Sequence, residues 1–288
     1  MTPAAFSYHA PSTLSDALRL LEDGSAMPLA GGQSLMPTLI ARAIAPGAIV
    51  DLNRIQDFPD VELEPGRLRT GALVRMQQVI DHPDIAQNLP LLHQAVSHIG
   101  HRAIRNRGTL VGSLCQLDPW AEVPLVACAL EASLLIAGPS GPRQARFSEF
   151  AAAPNRPLLA PGELVVAADW PLWRPEHGAG FSEVARRPND PALACAAALI
   201  LLDENRHIQR AVLAIGAVCP LPIRCHQLEA LLVGKSADDL RAITTDMIEA
   251  DLSGHVIRDD ALADAAYRRH LAPIVAARAV EQAVSRAR

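Results

Sequence analysis

Apolar positions in the first half of the chain change period repeatedly. Leu14, Ala17, Leu18 and Leu21 recur at helical spacing, which predicts an amphipathic helix over 13–23. Thr13 suits its N-cap and Gly24 its end. Leu29-Ala30 then runs into Gly31-Gly32, the pattern of a strand entering a loop. Residues 49–52 and 68–72 are short apolar runs of the kind that make buried strands, and 133–137 reads the same way. Helices are predicted around 77–81 and over 91–99 and 122–131, with Pro124 tolerated in the first turn of the last. Thr109-Leu110-Val111 leads into a second glycine-bearing turn, and the proline-rich stretch 153–161 reads as a loop. Such alternation predicts a mixed α/β first half. Pro, Trp, His and Gly crowd together over 171–180, which marks a domain boundary. Beyond it, 192–202 and 211–218 fit strands. Helices are predicted over 261–270 and 273–285, with Pro273 at the first position of the second.

Composition narrows the class. The chain has 288 residues, enough for two domains, and a 50% hydrophobic, 20% charged make-up suits a soluble globular protein. Aromatic residues are only 5 Phe, 3 Trp and 2 Tyr, so Ala, Leu, Val and Ile must fill the core. A formal charge of −5, without a basic face, argues against a nucleic-acid partner. The five cysteines lack CxxC spacing and sit among small apolar residues, so they read as buried thiols rather than metal ligands or a disulfide framework. No apolar run approaches the roughly 20 residues of a transmembrane helix. The N-terminus lacks the basic and apolar segments of a signal peptide, so a cytoplasmic location is expected.

Two loops carry the candidate chemistry. In Ala30-Gly31-Gly32-Gln33-Ser34-Leu35, paired glycines let main-chain N–H groups approach an anion without an intervening Cβ, and Gln33 and Ser34 add side-chain donors. The same residues also fit a tight turn between strand and helix. In Arg107-Gly108-Thr109-Leu110-Val111-Gly112-Ser113, two hydroxyls and two glycines offer a similar surface. Neither GxGxxG nor GxxxxGK[ST] is present. Asp118 and Glu122 follow; a carboxylate there can accept hydrogen bonds from a ligand's hydroxyls, and Glu122 also suits the start of a helix. No GxSxG or HExxH occurs, and His98 and His101 straddle a helix end, so no catalytic side chain and no metal site is expected.

Together these motifs resemble the FAD subunits of the molybdenum hydroxylases, the family that includes the medium subunit of aerobic carbon monoxide dehydrogenase and the flavin part of xanthine dehydrogenase. The first loop, continued to Leu35-Met36-Pro37, is similar to the family's first flavin loop. Ile104-Arg105-Asn106-Arg107-Gly108-Thr109-Leu110-Val111-Gly112-Ser113 resembles its IRNRGT-x-GGS loop, and Asp118-Pro119-Trp120-Ala121-Glu122-Val123-Pro124 its DPAAELP stretch. Phe181 to Arg187, continuing through Asp190-Pro191-Ala192-Leu193-Ala194, resembles F-x-E-x-ARR-x-x-D-x-ALA. The motifs stand in family order along essentially the whole chain. Departures are Val111 where glycines are usually paired, Gln116 where many relatives have His or Thr, and the bulky Trp120.

The resemblance implies an α+β fold of the vanillyl-alcohol-oxidase (PCMH) type. Two α/β subdomains, about 1–54 and 55–176, would hold an extended FAD, and a C-terminal domain of antiparallel sheet and helices would cover 177–288. It further implies that Ala30, Gly31, Gly32, Gln33, Ser34 and Leu35 hold the diphosphate, and that Gly108, Thr109, Gly112, Ser113 and Gln116 line the other side. Ile99, Gly100 and Leu159 would lie near the flavin ring, Asp118 and Glu122 near the ribityl or diphosphate, and Ser182 or Glu183 near the ring's pyrimidine end. The implied partners are a large molybdopterin subunit and a small subunit with two [2Fe-2S] clusters, in a dimer of heterotrimers. This chain would pass their electrons to an external acceptor. An autonomous FAD oxidoreductase on the same fold, or a non-enzymatic assembly subunit, are the alternatives.

Overall fold

The computed structural model describes residues 2–237 and 245–288. Its first sheet is parallel: β1 (Ser7–His9), β2 (Ala26–Leu29) and β3 (Ala48–Asp51) lie in the order β1-β3-β2. Parallel neighbours need crossovers, and the helix Leu14–Leu21 supplies the first. Thr13 caps it as the sequence predicts, Oγ1 accepting from Asp16 N at 3.2 Å. Ala17 and Leu21 of this helix pack with Val50 and Leu52 in a small separate core.

The second sheet is antiparallel. It comprises β4 (Val61–Glu64), β5 (Arg67–Gly71), β6 (Ser133–Ala137), β7 (Arg143–Arg146) and, after a short hairpin of β8 (Ala151–Ala153) and β9 (Arg156–Pro157), β10 (Leu164–Pro171). The order is β4-β5-β10-β6-β7, so the last strand in sequence is the middle one in space. Buried Trp170 on β10 donates from Nε1 to Thr70 Oγ1 of β5 at 2.9 Å. Buried Asp169 accepts from Arg67 at 2.9 Å and from Arg69 at 2.7 Å.

The third sheet runs β11 (Gly178–Ala185), β12 (Ala192–Leu202), β13 (Ile208–Gly216), β14 (Ile223–Arg224) in order and antiparallel. All 11 residues of β12 are buried, because both faces are covered. Cys195, Ala197 and Leu199 join the core shared with the helices of the first half, while Ala194, Ala196 and Ala198 pack under the helix Ala265–Arg286. Small side chains let that helix come close. A Cβ at Gly178 would sit 1.7 Å from Ala283 O, and one at Gly180 would sit 2.0 Å from Ala279 O.

Two expectations differ from the structure. Residues Leu110–Gln116 form a helix rather than continuing a turn, because Thr109 caps their first N–H groups. The predicted pair of C-terminal helices is one 22-residue helix, Ala265–Arg286, started by the Asp264 side chain accepting from Tyr267 N at 2.7 Å. Pro273 lies inside it and is buried. The crowded stretch 171–180 holds the connection between the second and third sheets: β10 ends at Pro171 and β11 begins at Gly178, leaving 172–177 as the link. Among the described residues no helix is long and apolar enough to cross a membrane.

Candidate cofactor site

The two glycine loops touch. Gly31 follows β2 and is buried, and a Cβ there would lie 2.3 Å from Arg107 O and 2.8 Å from Gly108 Cα. Only glycine permits that approach. Gly32 has a φ of +73°, in the left-handed region, and its carbonyl accepts from Met36 N at 3.1 Å as the helix Leu35–Ile40 begins. Among the described residues, none accepts a hydrogen bond from the main-chain N–H of Gly31, Gly32, Gln33 or Ser34. Ser34 stands at the N-cap without using its hydroxyl there. The loop therefore presents consecutive free donors, the arrangement that holds an anion. Its rear is fixed by Asn53, whose Nδ2 donates to Ala30 O at 2.9 Å, while the Gln33 amide donates to Gly31 O at 3.3 Å.

Arg75 ties this loop to the second one, donating to Arg107 O and to Asn53 Oδ1. Burial first, then the neighbouring Arg107 charge, pulls the Arg75 guanidinium below its usual pKa. The main chain adds Met76 N to Gly108 O at 2.9 Å and Leu110 N to Val74 O at 3.1 Å. Thr109 is buried, and its Oγ1 accepts from Gly112 N at 3.0 Å. A Cβ at Gly112 would meet that oxygen at 2.5 Å, so the cap and the glycine require each other. Val111 is buried in the main core with Leu110 and Leu114. The Val111 side chain thus points into the core, away from the loop surface. Ser113, half-buried, follows Gly112 on the same helix.

That helix leads to a carboxylate cluster. The Asn155 amide, turned so that its nitrogen faces Asp118, donates to Asp118 Oδ1 at 3.0 Å and to Gln116 O at 3.1 Å. Glu122 heads the helix Glu122–Leu130. Burial, then the charges of Glu183 and Asp118, pushes Glu122 up to about 8. Burial pushes Glu183 up to about 7, and its Oε2 is buried without a hydrogen-bond partner. Trp120 packs against the main core with the Arg258 guanidinium 5.4 Å from its ring centre.

Ile99 and Gly100 close the other side. Arg105 holds both carbonyls, at 3.1 and 2.8 Å, and Gly100 has a φ of +45°. The preceding His98 ring lies 5.0 Å from that of Phe181 on β11. Leu159 is half-buried against the same core. The structure therefore brings the first loop onto the second, Gln116 onto Asp118, Glu122 near Glu183, and the Ile99–Gly100 turn towards β11. Ser182 stands apart. Strand alternation places it on the face of Gly178 and Gly180, towards the last helix, opposite to Phe181 and Glu183. Asn53, Arg75 and Asn155 belong to the site framework and were not singled out from sequence, where nothing distinguishes them from ordinary loop polar residues.

The donor set fits FAD. The row of free N–H groups suits a diphosphate, and the buried carboxyls suit hydroxyl and N–H donors. Both loops lack His and Cys, and the nearby Cys115 thiol is pushed up to about 12 by burial, which makes it a poor nucleophile. FAD should accordingly be noncovalent: denaturation and filtration should release all yellow colour, and flavin retained on unfolded chain would contradict this.

Two family models match the chain: the FAD binding domain in molybdopterin dehydrogenase over residues 4–173, and the CO dehydrogenase flavoprotein C-terminal domain over 179–283. The 6-hydroxypseudooxynicotine dehydrogenase complex subunit alpha of Paenarthrobacter nicotinovorans is 34% identical over 84% of this chain and 83% of its own. Caffeine dehydrogenase subunit beta of Pseudomonas sp. strain CBB1 is 34% identical over 99% of this chain and 97% of its own. Among solved structures, a chain of the reconstituted CO dehydrogenase from Oligotropha carboxidovorans superposes with a TM-score of 0.94 at 29% identity, each chain covered completely.

Proposed function

This chain belongs to the family of FAD-binding subunits of molybdopterin dehydrogenases, and from that premise we propose that it relays electrons within a molybdenum hydroxylase. It is an oxidoreductase subunit. In the proposed assembly, a large subunit holds the molybdopterin cofactor and oxidises the organic substrate. A small subunit carries two [2Fe-2S] clusters, this chain receives their electrons, and an external acceptor takes them away. A dimer of heterotrimers in the cytoplasm is the corresponding assembly. The FAD domain spans 1–176, with subdomains of about 1–54 and 55–176, and 177–288 forms the C-terminal domain.

Bound FAD would supply the capacity to take up and release electrons, chemistry that side chains lack. The residues here bind and orient it. Main-chain N–H groups from Gly31 to Ser34 hold the diphosphate, with Arg75 fixing the loop junction behind them. Gly108 to Ser113 present the opposing surface, and Asp118, Glu122 and Glu183 receive donors further along the cofactor. The observation that carries this reading is the Gly31–Arg107 contact, which closes both loops around a row of unused donors.

Removing FAD from the purified complex should leave substrate able to reduce the molybdenum and iron–sulfur centres while transfer to the terminal acceptor stops. Rapid-mixing absorbance and electron paramagnetic resonance would follow both steps. If the isolated chain oxidises the substrate as fast as the whole assembly, it is an autonomous flavoenzyme instead.

A further inference from the structure

We propose that Glu122 and Glu183 form one proton-holding carboxyl pair beside the cofactor, and that the pair takes up a proton from solvent when two electrons reduce the bound flavin. The proposal rests on the FAD-binding reading above. Its geometry comes from a row across the third sheet. Glu183 on β11 stands opposite Cys195 on β12, which stands opposite Gly216 on β13. Gly216 leaves room for Leu125 of the helix Glu122–Leu130: a Cβ there would lie 3.3 Å from Leu125 Cδ2 and 3.0 Å from Cys195 Sγ. Glu122 is three residues before Leu125 and so shares its helix face. The head of the helix is thereby set against the Glu183 end of the row.

The surroundings leave the pair poorly neutralised. Asp118, in the loop before the helix, adds negative charge. Cys195 on β12 stays a neutral thiol, held well above its usual pKa by burial. Arg258, in the segment before the last helix, is committed to Asp260 Oδ2 at 2.6 Å and Ala217 O at 3.0 Å. His98, on the helix Pro90–His98, meets Phe181 and is lowered by burial. Two carboxylates whose charges act on each other with little solvent do not both ionise readily. A proton on Glu183 also lowers the cost of burying its Oε2 without a partner.

Reduction then sets the direction. Two electrons, from the iron–sulfur clusters in the complex or from a low-potential chemical reductant in the test, add negative charge beside the pair. That charge favours a second proton on it. One O–H bond forms, solvent supplies the proton, and no side chain is oxidised or reduced.

Two measurements on the purified FAD-loaded chain test this. The first is the midpoint potential at pH values bracketing about 7 and about 8, for the wild type, Glu183→Gln and Glu122→Gln. Each variant should lose one proton per electron pair from its pH slope, a tenfold change per pH unit or about 30 mV for a two-electron couple. Unchanged slopes in both variants would overturn the proposal. The second is wild-type proton uptake on reduction in unbuffered solution, which should exceed that of free FAD; equal uptake would also overturn it. The FAD-free chain separates this idea from the one beneath it. Carboxyls raised on folding bind more protons folded than unfolded, so their contribution to stability falls as pH rises from about 4.5 to about 8. Glu183→Gln should flatten that fall. A chain that never holds FAD defeats the flavin reading, while a flat wild-type pH series defeats the carboxyl pair.

Discussion

Gly31→Val should weaken FAD binding by roughly 100-fold or more, the equivalent of losing about two charge-assisted hydrogen bonds. Any side chain at this position drives a Cβ into Arg107 O, 2.3 Å away, so the loops must separate. The free N–H groups of the first loop then no longer face the second. Gly32→Val should also bind poorly, because a branched residue resists a φ of +73°. Val111→Gly provides the contrast. It removes a buried core side chain and costs stability, yet leaves the loop contact in place, so FAD affinity should stay within about tenfold of wild type. Titrating the purified apoproteins with FAD decides the matter. Wild-type affinity in Gly31→Val would reduce the first loop to a simple turn.

Arg268→Ala should destabilise the C-terminal domain by about 3–5 kcal/mol. Arg268 is fully buried and donates to Leu193 O at 2.7 Å, Ala217 O at 2.9 Å and Asp260 Oδ1 at 2.7 Å. One side chain therefore binds the last helix, two parts of the third sheet's chain and the segment before the helix. Alanine takes the Arg268 bond from Leu193 O, leaves Ala217 O with Arg258 alone, and opens a cavity besides. Denaturant unfolding of the FAD-free protein would show this as a lower midpoint for the C-terminal transition. A shift under about 1 kcal/mol would mean that Arg258, which also reaches Ala217 O and Asp260, carries the junction alone.

Several elements were legible from sequence because independent signals agreed. The first helix combined an apolar period with a capping Thr13 and a terminal Gly24, and β12 was an unbroken apolar run between Pro191 and Asp203. Both glycine loops were found by their residues, but their mutual contact was not, since it depends on tertiary approach of Gly31 to Arg107. The start of β11 was hidden because Gly178 and Gly180 look like a linker, whereas they are small to admit a helix. Pro273 marks a helix start by local chemistry, but burial of the helix around it, at Leu271, Ala272 and Val275, carries the helix through it. Arg268 reads like its exposed neighbour Arg269 until the fold encloses it. Motif alignment left Ser182 and Glu183 as equal candidates, and strand alternation separates them.

The place of β10 bears on how the protein is made. β5 and β6 are neighbours in the second sheet only through β10, which pairs with both. During synthesis, residues 67–137 leave the ribosome with a gap where the middle strand belongs, and the gap stays open until 164–171 follow. Until then Leu68 and Leu134 have neither their shared partner nor a closed core. The nascent chain thus carries unpaired strand edges through a long stretch of translation, the condition in which chaperones or slow elongation matter most. A ribosome stalled before residue 164 should hold a chain that proteases cut readily, and one stalled well past 171 should hold a protected domain.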